Sequence, residues 1–178
     1  MNYFEFFEIP VAFYLDEVAL KQRFLKNSKM FHPDFYTLES EEKQAEILEI
    51  STYNNQAYLT LSDFDKRLKY ILDIKGVLDE AKQTLPNEFL MEMMDINEAI
   101  MELEFDFDEA AFETASKRVG ELESAILANA KPVMEAYSES GLNDASLEIV
   151  KDFFLKKRYL WRIKEKLDSF APASKEVR

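Results

Sequence analysis

Pro33 falls between two long stretches of helical periodicity and prevents them from forming one helix. A proline lacks a backbone N–H and disfavours α geometry in the residue before it, so the first stretch must stop near His32. Asp16 is placed to cap that first helix, in which Leu20, Phe24, Ser28 and Phe31 share a stripe with spacings of four, four and three. Ser40, followed by Glu41 and Glu42, marks a second start, and Ile47, Ile50, Asn54, Ala57 and Leu61 continue at helical spacing. Two antiparallel helices follow, joined by a loop that exposes His32-Pro33-Asp34. The Asp34 carboxylate is free to bond local backbone N–H groups or to face solvent. An ordinary helix-to-loop stop accounts for the tripeptide as well as a contact surface does.

The rest of the chain is as poor in turn formers as its start. With three glycines and five prolines in 178 residues, and little alternating Val, Ile and Thr, an all-α fold is expected. The 13% aromatic content argues against disorder. A short helix from Phe64 to Lys75 turns Leu68, Ile71 and Leu72 inward, and Gly76 suits the left-handed position that closes it. A domain boundary is expected there: residues 1–78 form one unit, 79–86 a connection closed by Pro86, 87–171 a second unit, and 172–178 a tail.

In the second unit Phe89, Met93, Ile96, Ile100 and Leu103 are spaced four, three, four and three, the pattern of a core-facing stripe. Leu90, Met91 and Met94 are left over, beside Asp95, Glu98 and Glu102. Between Lys82 and Lys117 there is no base, while residues 88–113 hold ten acids. Concentrating like charge there opposes folding, which suits a basic partner. The alternative is that the extra apolar residues pack inside a helical bundle, methionine being both gap filler and adaptable contact.

Two further helices are expected, Asp108 to about Asn129 and Leu147 to about Phe170, with Gly141, Asn143 and Asp144 turning the chain between them. Pro132 should kink or interrupt the middle helix. Tyr159 and Trp161 read as core or helix-seam residues, and Lys156-Lys157-Arg158 as a solvated face opposite the acidic helix.

Charge and composition exclude several functions. The 22 bases against 35 acids leave a net charge of −13, which repels nucleic-acid phosphates and anionic lipid headgroups. No apolar stretch approaches the roughly 20 residues that cross a bilayer, and the N-terminus lacks a basic signal-type flank, so a soluble cytoplasmic protein is expected. Without cysteine, and with a single histidine, the chain offers no thiolate metal site or cluster ligand, and no cofactor or metal is expected. It has no glycine-rich phosphate loop and no Ser-His pair with a third member, so catalysis is not expected. Residues 16–31 run against the overall charge, with Lys21, Arg23, Lys26 and Lys29 facing only Asp16 and Glu17. Such a run is usually a solvated helix face.

Several segments together resemble a known family. Tyr3-Phe4-Glu5-Phe6-Phe7, Arg23-Phe24 through Phe31-His32-Pro33-Asp34, and Asn55-Gln56-Ala57-Tyr58 with Leu61 look like a J domain. Continuing through Arg67, Tyr70 and Leu72, and with Phe89-Leu90-Met91-Glu92 further on, the chain resembles the HscB-type J co-chaperones of iron–sulfur cluster assembly. The match is densest before Gly76.

The resemblance implies an N-terminal J domain followed by a C-terminal three-helix bundle. It also implies that His32, Pro33 and Asp34, with Arg23, Lys26 and Lys29 on the basic face of the second helix, engage an ATP-driven chaperone of the DnaK or HscA type. Leu90, Met91, Met94, Asp95, Glu98 and Glu102, with Leu155 on the last helix, match positions that contact an IscU-like scaffold protein. One departure is Phe35-Tyr36 directly after Asp34, where many J domains carry Lys or Arg. Two other readings share parts of these features: a general J protein that delivers unfolded clients, and an adaptor that does not stimulate any ATPase.

Overall fold

Every described element of the chain is a helix or a turn in the computed structural model, which describes residues 1–78, 84–137 and 144–170. Seven α-helices are described: α1 (Tyr3–Phe6), α2 (Glu17–Met30), α3 (Glu41–Leu61), α4 (Phe64–Ile74), α5 (Asn87–Phe105), α6 (Glu109–Glu135) and α7 (Asp144–Asp168). A single 3-10 turn, Pro33–Tyr36, lies between α2 and α3. The chain divides into two units, Met1–Val77 with Met134–Asn143, and Leu78–Val133 with Asp144–Arg178.

The expected helix starts of the first unit are held by side-chain caps. The Asp16 carboxylate accepts from the Ala19 N–H at 2.9 Å, and Ser40 Oγ accepts from the Lys43 N–H at 3.3 Å. Each satisfies one of the backbone donors that a helix N-terminus leaves open, worth about 1 kcal/mol. At the end of α4, Gly76 adopts φ +70°. Its N–H bonds the Asp73 carbonyl at 3.0 Å, and the Val77 N–H reaches back to the Leu72 carbonyl at 3.1 Å. This is a Schellman closure, which requires a residue comfortable in the left-handed region, so the reading of Gly76 as a helix terminator holds.

Helices α2 and α3 pack as a hairpin through the two anticipated stripes. Leu20, Ile47, Ala57 and Leu61 are buried, and Phe24 stacks on Tyr58 with centroids 4.2 Å apart. Asn54 is buried in the same seam, and its Nδ2 donates to Ser28 Oγ at 3.0 Å and to the Phe24 carbonyl at 3.3 Å. Arg67 on α4 is buried as well. It donates to the Phe13 carbonyl at 3.0 Å and to the Leu61 carbonyl, tying the loop before α2 to the end of α3. Burial pushes the pKa of this guanidinium below its usual value, because the charged form loses hydration.

The second unit is built on α5, α6 and α7. Phe89, Met93, Ile96, Ile100 and Leu103 of α5 join Ala115 and Val119 of α6 and Leu160, Ile163 and Leu167 of α7 in one buried cluster. The five α5 residues are those of the core stripe read from spacing. Polar clamps link the same helices: Arg118 pairs with Glu92, Lys164 with Glu123 at 2.9 Å, and Asn97 Nδ2 donates to Tyr159 Oη at 3.4 Å.

Three expectations for this unit fail. Helix α6 does not end at Asn129 but continues through Pro132 to Glu135. Ala130 and Met134 are buried on either side of that proline, and Pro132 lies within the last turn, where few hydrogen bonds remain to be lost. Trp161 is not a core residue: it is 57% exposed, whereas Tyr159 does pack against the core cluster. Lys156 does not stand on a face opposite the acidic helix. Its ammonium pairs with Asp152 at 2.7 Å and lies 5.6 Å from the centroid of the Phe89 ring on α5 itself. The turn expected at Gly141 and Asn143 lies outside the described residues.

Candidate functional site

The loop between α2 and α3 is shaped by local bonds. His32 is extended (φ −73°, ψ 123°), as the residue before a proline must be, and caps the 3-10 turn that Pro33 begins. The Asp34 N–H donates to His32 Nδ1 at 3.3 Å, so the neutral ring with its proton on Nε2 fits this bond. The Phe35 N–H bonds the His32 carbonyl at 3.0 Å, and Tyr36 Oη donates to the Met30 carbonyl at 2.9 Å, anchoring the loop to the last turn of α2. Within this frame the Asp34 carboxylate is 83% exposed, with only the His32 Nδ1 nearby at 3.7 Å. The backbone at Asp34 is thus fixed by local bonds, and its carboxylate projects into solvent. Phe35, in the place of a base, is 69% exposed and tilted against the His32 ring at 5.5 Å.

The three basic residues of α2 differ in their surroundings. Lys26 and Lys29 are exposed and form no ion pair among the described residues. Arg23 is half-buried, donating to the Phe7 carbonyl at 2.6 Å and pairing with Glu8 at 3.2 Å. Its guanidinium therefore fastens the segment after α1 as well as contributing charge.

The second candidate surface is the side of α5 that turns away from the core. Met91 and Met94 are 67% and 69% exposed, and Leu90 lies at the edge of the same patch. Asp95, Glu98 and Glu102 are exposed and make no ion pair among the described residues, whereas Glu92 is taken by Arg118. Of the two readings left open for the extra apolar residues, this exposure speaks against packing inside the bundle for Met91 and Met94, while Leu90, 36% exposed, is largely covered. On α7, Phe153 and Phe154 are buried in the core, and their neighbour Leu155 is only half-buried. The sequence reading did not mark Met101, Phe105 and Phe107, all exposed at or just beyond the C-terminal end of α5. The signal was present in the continuation of the Met91, Met94 spacing.

A helical hairpin presenting His-Pro-Asp at its turn, with a three-helix bundle in the same chain, defines a class of fold: a J-type hairpin followed by a C-terminal helical bundle. Comparison with known proteins narrows the class. Residues 85–168 match the family described as the HSCB C-terminal oligomerisation domain. Co-chaperone protein HscB homologues from two Vibrio cholerae strains, M66-2 and El Tor Inaba N16961, are 38% and 37% identical over 102 residues, 56% of this chain. The aligned part spans 60% of the length of those relatives. Among solved structures, chaperone HscB from Vibrio cholerae superposes with a TM-score of 0.67 at 26% identity, covering 95% of this chain and 96% of that one. The human co-chaperone protein HscB superposes with a TM-score of 0.70 at 26% identity, over 95% of this chain and 81% of its own. Residues 85–168 thus match an HscB-type C-terminal domain, and the chain as a whole is similar in fold to the HscB co-chaperones. No helix among the described residues is long and apolar enough to cross a membrane.

Proposed function

We propose that this protein stimulates the ATPase of a DnaK/HscA-type chaperone through the His32–Asp34 loop and delivers to it an IscU-like iron–sulfur scaffold protein carried on α5. The observation that carries the reading is that the chain keeps two exposed surfaces with no role in its own packing. One is an exposed carboxylate on a backbone fixed by local bonds; the other is an apolar helix face bordered by acids that make no ion pair among the described residues. In this reading Asp34 pairs with a cation of the chaperone, and Lys26 and Lys29 meet acidic surface around it. Contacts stronger in the hydrolysis-competent conformation shift the chaperone toward it, so the protein changes another enzyme's rate without chemistry of its own. Holding the scaffold on the same chain raises its effective concentration at the chaperone. The setting that fits is the cytoplasm.

Single-turnover ATP hydrolysis by an HscA- or DnaK-type chaperone tests this, with the scaffold present or absent and with native protein or His32→Gln. Stimulation that requires both His32 and the scaffold supports the proposal. Stimulation indifferent to the scaffold identifies a general J protein, and no stimulation of a cognate chaperone leaves an adaptor.

A further inference from the structure

The apolar stripe on the outer side of α5 does not end at Met94. Each helical residue advances about 100° around the axis, which places Met91, Met94, Glu98, Met101 and Phe105 within an arc of about 80°. The core residues Phe89, Met93, Ile96, Ile100 and Leu103 occupy the opposite side. Met101 is 68% exposed and Phe105 95%, so the stripe extends over some 21 Å, from the first turn of α5 to its last. Beyond it, Phe107 is exposed but braced against the Phe112 ring at 5.9 Å. Phe112 in turn packs on the core cluster.

The composition around this end is more specific than that of an ordinary solvated corner. From Glu102 to Asp108 acids alternate with apolar residues: Glu102-Leu103-Glu104-Phe105-Asp106-Phe107-Asp108. Asp108 is used in part, since its Oδ1 accepts the Ala111 N–H at 2.7 Å at the start of α6. Glu98, Glu102, Glu104 and Asp106 form no ion pair among the described residues. Leaving Phe105 almost wholly in water among these acids forgoes the burial of a large apolar side chain. A surface of this kind is matched by a partner with apolar area bordered by bases, and not by an acidic or nucleic-acid surface.

We propose that Met101, Phe105 and Phe107 form a second anchoring point for the same basic partner that covers Met91 and Met94. Glu98 lies between the two anchors and Glu102 beside the second, and together they fix its register. The inference rests on the reading of α5 as the scaffold-binding helix, and it enlarges that contact toward the α5–α6 corner. Aromatic anchors set in an interface commonly carry most of its energy, so Phe105 ranks with Met91 in importance.

The test is calorimetric titration of the full-length chain with a purified IscU-type scaffold protein, using Phe105→Ala, Met101→Ala and, as reference, Met91→Glu. Circular dichroism melts serve as the folding control, and the exposure of all three residues predicts unchanged melting. Loss of about tenfold or more in affinity with Phe105→Ala, and a smaller loss with Met101→Ala, is the expected result. Native affinity in both, while Met91→Glu binds poorly, overturns the second anchor and leaves the scaffold reading standing. Native affinity in all three, or no binding by the unaltered chain, overturns both.

Discussion

The His32–Asp34 loop and the outer face of α5 are both exposed, but they are built on opposite plans. The loop is small and polar, and its geometry comes from bonds within five or six residues: Asp34 N–H to the His32 ring, Phe35 N–H to the His32 carbonyl, and Tyr36 to Met30. The α5 face is broad and apolar, and its position comes from the residues behind it, Met93, Ile96 and Ile100, sunk in the core. A site of the first kind presents one group in one orientation, so its loss is nearly total. A site of the second kind distributes its contribution over several side chains and weakens by degrees.

Asp34→Asn is the sharpest probe of that contrast. It keeps the shape of the side chain and the Asp34 N–H bond to His32, and removes only the charge. If the carboxylate meets a desolvated cation on the chaperone, about 2–5 kcal/mol is lost, roughly 30-fold or more in stimulation at subsaturating protein. Scaffold binding measured alone should not change. A modest, few-fold effect in single-turnover hydrolysis would place the loop with the distributed kind of surface and end the comparison.

The next effect in size concerns α5. Met91→Glu adds a like charge to an already acidic face and should lower scaffold affinity by about ten- to a hundredfold, with Met94→Glu somewhat weaker. The neighbouring Met93→Ala separates burial from surface: it should cost about 2–5 kcal/mol of stability in a denaturant titration, whereas Met94→Ala should stay within about 0.5 kcal/mol. Equal destabilisation by the two would show that Met94 has a packing role after all.

A somewhat smaller change is expected at Arg67, which supports the hairpin from within. Arg67→Ala leaves the Phe13 and Leu61 carbonyls without their donor, at a cost of about 1–3 kcal/mol in a thermal melt. Stimulation at low temperature should remain, because the bonds that shape the loop are local to it. If stimulation disappears while the protein stays folded, the loop depends on the core more than its own bonds indicate.

How much of this was legible in the sequence follows from the range of the interactions involved. The caps at Asp16 and Ser40, the stop before Pro33 and the Gly76 closure depend on neighbours a few residues away, and periodicity located the α5 core stripe to the residue. The all-helical fold was legible for the same reason. What escaped was set by tertiary context. Burial on both sides carries α6 past Pro132, Lys156 is drawn over the Phe89 ring, and Trp161 stands in solvent although tryptophan is usually largely buried. Arg67 belongs with these, since its partners Phe13 and Leu61 are carbonyls that no side-chain pattern reveals. In the candidate sites the charged and apolar residues were identifiable by type, but only the coordinates distinguish Arg23, tied to Phe7 and Glu8, from the unpaired Lys26 and Lys29.

That distinction yields the smallest predicted effect and the finest cut between the two kinds of site. Lys26→Ala and Lys29→Ala each remove one exposed charge that has no internal partner, so stability should be unchanged. Stimulation should fall two- to fivefold at low salt, with the difference shrinking as ionic strength rises and the Debye length drops below about 10 Å. Arg23→Ala should differ in kind, because the Phe7 carbonyl loses a charged donor at the same time. About 1 kcal/mol of stability should go with it, and the defect in stimulation should persist at high salt. If all three variants instead lose stimulation equally and recover equally with salt, Arg23 acts as surface charge alone. The basic face of α2 would then be a distributed surface like that of α5, leaving Asp34 as the only point contact in the molecule.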